Sequence, residues 1–160
     1  MIDGMLPFFV WCEASGLGQL VRNSTWLFPV IEAVHLLGLC ALGGTLLVVD
    51  LRMLGAGLTR QPLHTLAAAV HPWLVASIAL QVLTGSSLFV SEAVKCFYNP
   101  SFWVKMSALP VALLFTFTIR HRVAAHPGRD TSLRTRIVAT VSLLLWFTVA
   151  AGGRWIGFSS

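Results

Sequence analysis

"WLFPVIEAVHLLGLCALGG", residues 26–44, is apolar over a length close to the roughly 20 residues that cross a bilayer's hydrocarbon. Two ionisable groups, Glu32 and His35, interrupt it, three residues apart and therefore on one face of a helix. Ionisable side chains at that depth are costly, and the default reason to retain them is a functional site. The fold follows from the apolar run, and the search for function starts from the two groups inside it.

Three similar runs follow. The first span is expected at about 26–49 and the others at 71–90, 102–119 and 137–156, separated by polar, Gly- or Pro-bearing connections. Hydrophobic residues make up 56% of the chain and charged residues 11%, where an average soluble domain has about a quarter charged. The apolar residues come in blocks, which excludes an ordinary soluble core. The expected fold is all-α, an integral membrane four-helix bundle forming a single domain over residues 1–160. Residues 5–23 are too short and too glycine-interrupted to span. With Phe8, Phe9, Trp11 and Leu17 beside Glu13 and Arg22, they read as an amphipathic segment lying in the interface.

Lysine and arginine number 11 against 6 acids. In a membrane chain that excess belongs to cytoplasmic loops and gives no reason to expect nucleic acid as a partner. Arg52, Arg60, Arg120, Arg122, Arg129, Arg134 and Arg136 fall on one side of the expected topology; Arg22, Lys95, Lys105 and Arg154 fall on the other. This seven-to-four split places both termini in the periplasm of a bacterial inner membrane. Met1 is followed by Ile-Asp-Gly, so no cleavable signal peptide is expected. Of the three cysteines none forms a CxxC or CxxCH pattern, which speaks against a zinc ribbon or covalent haem. Cys12 and Cys96 share the outer side, where a disulfide would be permitted.

Sorting the histidines by depth singles out three. At 1.5 Å per residue His35 lies roughly 12 Å inside the first helix. His71, expected to open the second helix ahead of Pro72, and His121, expected to end the third, lie at one level on antiparallel helices. One imidazole from each of two neighbouring helices is what bis-histidyl haem ligation needs. Arg52, Arg60, Arg120 and Arg122 stand at the same level as candidates for haem propionates. The competing reading is that both histidines merely belong to the positive interfacial band. For the outer half, Glu32 reads as an orienting partner of a ligating His35, as a co-ligand of a copper ion, or as part of a proton relay. Lys105 and Arg154 lie at the depth of Glu32, so a polar cluster of Glu32, His35, Lys105 and Arg154 is expected. Trp26, Trp103 and Trp155 read as belt residues, and Gly38, Gly43 and Gly44 as close-packing positions.

The stretches "WLFPVIEAVHLLGLCALGGTLLVVDLRMLG", "HPWLVASIALQVLTGSSLFVSEA" and "NPSFWVKMSALP" resemble a bacterial family of four-helix membrane proteins with no established activity, over about Trp11 to Trp155. The specific parts are Glu32-x-x-His35-x-x-Gly38, Asp50-Leu51-Arg52, Thr84-Gly85 and Lys105. More loosely the chain is similar to four-helix b-type cytochromes and copper-resistance D membrane proteins, which implies haem-mediated quinone chemistry or copper handling. His35 lacks a partner histidine at its own level, so at most one bis-histidine site is complete.

The leading expectation is therefore a membrane electron-transfer subunit that binds haem b and exchanges electrons with a quinol and a redox partner protein. The alternatives are an intramembrane copper-handling protein using Glu32 and His35, and a cofactor-free anchor or assembly subunit, alone or as a homo-oligomer. No hydrolase constellation or nucleotide-binding loop is present, and whether the chain is an enzyme stays open.

Overall fold

A computed structural model describes residues 3–126 and 132–156, and all of its regular structure is helical. After a 3₁₀ turn at Asp3–Met5 come two short helices, α1 (Leu6–Ala14) and α2 (Gly16–Asn23). The first span is α3 (Leu27–Leu54) and the second α4 (Leu63–Ser91), followed by a short α5 (Ala93–Tyr98). The third is a continuous rod of α6 (Pro100–Phe115), a π-helical turn (Thr116–Arg120) and α7 (His121–Ala125); the fourth is α8 (Leu133–Ile156). Four helices are long and apolar enough to cross a membrane, as expected. Within the most apolar stretch of each, only 11–28% of residues are buried. Leu37, Leu83, Leu114 and Phe147 thus point outward, an arrangement stable in lipid and not in water.

The helices run further than the hydropathy pattern suggests. Helix α3 continues through Asp50 and Arg52 to a glycine stop, where Gly55 takes φ 79° and its N–H returns to the carbonyls of Arg52 and Leu51. A left-handed residue just past the last turn is the usual way to satisfy those carbonyls. Helix α4 starts after Pro62, not at His71, so Pro72 lies inside it. Membrane helices tolerate such prolines because neighbouring groups recover the freed carbonyl. Helix α6 begins on Pro100, with the Asn99 side chain accepting from Ser101 N–H at 3.0 Å.

Contacts join α3 to α4, α3 to α8, and α6 to α8, while α4 meets the third rod chiefly through α7. At the loop end, Met53, Leu63, Val123, Ala124 and Val138 form a closed core. At the opposite, capped end, Phe9 and Cys12 of α1 pack with Ala93, Cys96, Phe97 and Phe102. Phe89 stacks on Phe102 there, with centroids 5.6 Å apart. Residues 5–23 thus form a packed helical cap and not only a surface segment. Glu13 ties the cap down: its carboxylate pairs with Arg22 and accepts from the Val94 N–H at 2.8 Å. Trp103, expected in the belt, is instead part of this aromatic cluster and donates to the Phe97 carbonyl at 3.0 Å. Trp26 and Trp155 are exposed, as belt residues require. Gly38 packs closely on Leu80 and Gln81, whereas Gly43 and Gly44 have nothing near them.

Cys12 and Cys96 are both buried in this cluster and both free. Burial, with the Glu92 carboxylate adding to it, pushes the Cys96 thiol up to about 11. It is no thiolate nucleophile at neutral pH.

Candidate functional site

Polar side chains gather at two levels of the bundle. At the loop end, His71 of α4 and His121 of α7 face one another with ring centroids 5.3 Å apart and planes tilted by 58°. The structure thus brings together the two histidines that the depth argument paired, although His71 sits well inside α4 and not at its start. Beside them Thr45, Ala67, Val70, Thr116 and Ala124 line a cleft with a cavity of about 20 Å³. That is room for about one water molecule.

The π turn lies directly before His121. One extra residue in a helical turn offsets everything beyond it by about 100°, and such turns concentrate at functional sites. Here the offset segment carries Arg120 inward, where its Nε donates to Asp50 Oδ1 at 2.6 Å and its Nη2 to the Leu46 carbonyl at 3.3 Å. Ser142 of α8 donates to the other carboxylate oxygen at 2.7 Å. Asp50 and Ser142 are 0% exposed and Arg120 4%. Three helices are thereby fastened by one fully bonded ionic group. Thr116, within the turn itself, accepts from Trp146 Nε1 at 3.0 Å.

This changes the roles expected of two arginines. Arg120 is engaged with Asp50 while it lines the cleft beside His71 and His121, and Arg52 donates from Nε to the Gln61 carbonyl at 2.7 Å. Asp50 falls just past the first span expected at 26–49, so its bond to Ser142 is not legible from the hydropathy pattern. The available signal was that Asp50 and Glu32 are the two acids within the long helices. A serine at 142 carries no sequence signal of its own.

The second level is in the half nearer the cap. His35 Nδ1 lies 2.7 Å from Thr84 Oγ1, and Gln81 Nε2 donates to the His35 carbonyl at 2.7 Å. Lys105 is half-buried on α6. Its Nζ lies 3.3 Å from where a Cβ on Gly153 would be. The expected cluster is therefore halved. Glu32 is on the exposed face of α3 and makes no ion pair among the described residues, and Arg154 is exposed near the end of α8. A side chain at position 32 points away from the interior because α3 buries the Gly38–Leu42–Leu46 face. The Glu32–Lys105 pair is not made, and His35 is oriented by Thr84 in place of Glu32. Among the described residues no group of three or more His, Cys, Asp or Glu side chains is placed to hold a metal ion.

The chain belongs to a family of unknown function, DUF6644, whose model matches residues 8–159. Neither a curated protein nor a solved structure matches it. No similarity to b-type cytochromes or copper-resistance D proteins is found in these comparisons.

Proposed function

We propose that this member of the family is a multi-pass membrane subunit for electron transfer, in which His71 and His121 would hold a haem b. The observation that supports it is the facing imidazole pair on two different helices, one of the two, His121, directly after a π turn. The donor set suits a low-spin iron: two imidazoles, with no thiolate or carboxylate beside them in the cleft. Room is the stricter condition. The cleft holds about one water, so a porphyrin enters only where α4 and α7 part. Ala67 and Ala124 are the small residues of that seam, and Ala124 is also buried in the loop-end core, so the parting would have to open that core. Haem would supply one-electron chemistry. The protein's part is to hold both rings by their helices and to keep Arg120 bonded to Asp50 behind them. The narrowness of the cleft favours one second reading, a single copper ion between the same two rings.

The optical spectrum and metal content of purified protein, expressed with ample haem, separate these readings. A b-type reduced-minus-oxidised band is expected, and His121→Ala should remove it or convert it to high spin. Copper in stoichiometric amount without haem would establish the second reading. A colourless, copper-free wild type would end both.

The orientation proposed with this function puts both termini in the periplasm, on the basis of the seven-to-four split in basic residues. Reporters inserted at Gly57 and fused after Ser160 should then report opposite compartments, with the Gly57 fusion cytoplasmic. The reverse assignment would place the histidine pair at the outer face.

A further inference from the structure

At the capped end, where α1 and α2 meet the junction of α4 with α5, a cavity of about 330 Å³ opens. Small-molecule sites begin at about that size. Glu13, Arg22, Glu92, Lys95 and Tyr98 line it. Two carboxylates and two cations make the lining neutral, and they form two ion pairs of different character. Glu13 is committed to the fold, since its carboxylate holds Arg22 and accepts from the Val94 N–H at 2.8 Å. The Arg22 side chain is 55% exposed, and among the described residues it bonds to Glu13 alone. A guanidinium carries five N–H donors, so most of that fork is unused. Glu92 and Lys95 stand 3.7 Å apart, too far for a hydrogen bond, and both side chains are 40% exposed. Such a pair is weak and loses little when each member takes another partner. Neither side chain, nor the Tyr98 hydroxyl, has a hydrogen bond among the described residues.

The depth of the cavity is also defined. Tyr98 is exposed, as are Trp11 and Trp26 at the same end of the bundle. Tyrosine and tryptophan in that position mark the level of the lipid headgroups.

We propose that this cavity binds a phosphoethanolamine zwitterion, the headgroup of a membrane phospholipid. The phosphate oxygens accept from the unused side of the Arg22 fork and from the Lys95 ammonium, and the ligand's own ammonium donates to Glu92. A planar fork of donors suits a phosphate. Tyr98 supplies a further hydroxyl at the rim. An anionic headgroup would gain the same two cations but meet the Glu13 and Glu92 carboxylates. A simple cation would meet Arg22 and Lys95. Only a ligand with both charges replaces the weak Glu92–Lys95 contact and leaves neither member uncompensated. The site lies at the end away from His71 and His121, so it does not depend on the electron-transfer reading.

The test is native mass spectrometry of the delipidated full-length chain in detergent. The protein is titrated with an equimolar mixture of phosphatidylethanolamine and phosphatidylglycerol bearing the same acyl chains. One saturable adduct is expected, with phosphatidylethanolamine favoured about tenfold, the scale of a hydrogen bond to a charged group. Lys95→Gln and Arg22→Gln should each weaken it several-fold. Glu92→Gln makes the lining positive and should turn the preference toward phosphatidylglycerol, a reversal that a merely structural role would not produce. Lys95→Gln and Glu92→Gln decide the matter should Arg22→Gln fail to fold. No saturable adduct, equal occupancy by the two lipids in wild type, or an unchanged preference in Glu92→Gln would overturn the proposal. Glycerophosphoethanolamine, the same headgroup without acyl chains, separates the two sources of this chemistry. Failure to compete in large excess supports the membrane lipid as the ligand, and displacement at equal concentration supports a free phosphoethanolamine compound.

Discussion

Replacing Arg120 with methionine is expected to cost the bundle about 3–5 kcal/mol, the usual result of leaving one partner of a buried ion pair uncompensated. Asp50 is fully enclosed, and without the guanidinium only the Ser142 hydroxyl remains to bond its carboxylate. The double variant Asp50→Asn with Arg120→Met should be more stable than the sum of the single losses, since the two groups interact directly and their effects are coupled. Unfolding of the purified protein by increasing mole fraction of a denaturing detergent, followed by tryptophan fluorescence, measures both. Of the six tryptophans, Trp146 lies beside the pair, where it donates to Thr116 in the same π turn. Equal stability of Arg120→Met and wild type would mean that this pair does not fasten α3, the third rod and α8.

Gly18→Ala should be the most damaging change in the cap. A Cβ at this position would lie 2.6 Å from the Val90 carbonyl oxygen and 2.9 Å from that of Glu13. Both are backbone atoms, so neither can swing aside, and α2 must lift from the end of α4. Overpacking of that kind costs about 1–3 kcal/mol. Lifting α2 exposes Val21 and loosens the Glu13 bonds to Arg22 and to Val94 N–H. Faster tryptic cleavage after Arg22 is the expected readout. Gly16→Ala is the control, since nothing lies within 4 Å of a Cβ there and α2 should tolerate it. Equal cleavage rates in the two variants would show that the cap is not seated through Gly18.

Some of the candidate site was legible in the chain. His71 and His121 could be paired from depth alone, because rise per residue converts sequence position into level along a span. The pairing survives an eight-residue error in where α4 begins, at Leu63 and not at His71, since a helix start moves no residue within the helix relative to the bilayer. Rotation about the helix axis is harder. Glu32 and His35 share a face, but a face is broad, and a three-residue step leaves them about 60° apart. That is enough to put His35 against Thr84 and Glu32 outside.

Four spans and an all-helical membrane fold were determined by the sequence itself, because a bilayer demands about 20 apolar residues per crossing and satisfies no backbone polar group. The level of each polar residue followed from the same arithmetic. Which polar groups meet was decided only in the tertiary structure. Asp50 finds Arg120 and Ser142 across sequence separations of 70 and 92 residues, and His35 finds Thr84 across 49. Those meetings depend on which helices are neighbours, on the Gly38 and Gly152 contacts that set how closely they approach, and on a π turn that no residue pattern announces. Hydropathy places a residue in depth; only packing gives it an azimuth, and partners are chosen by azimuth.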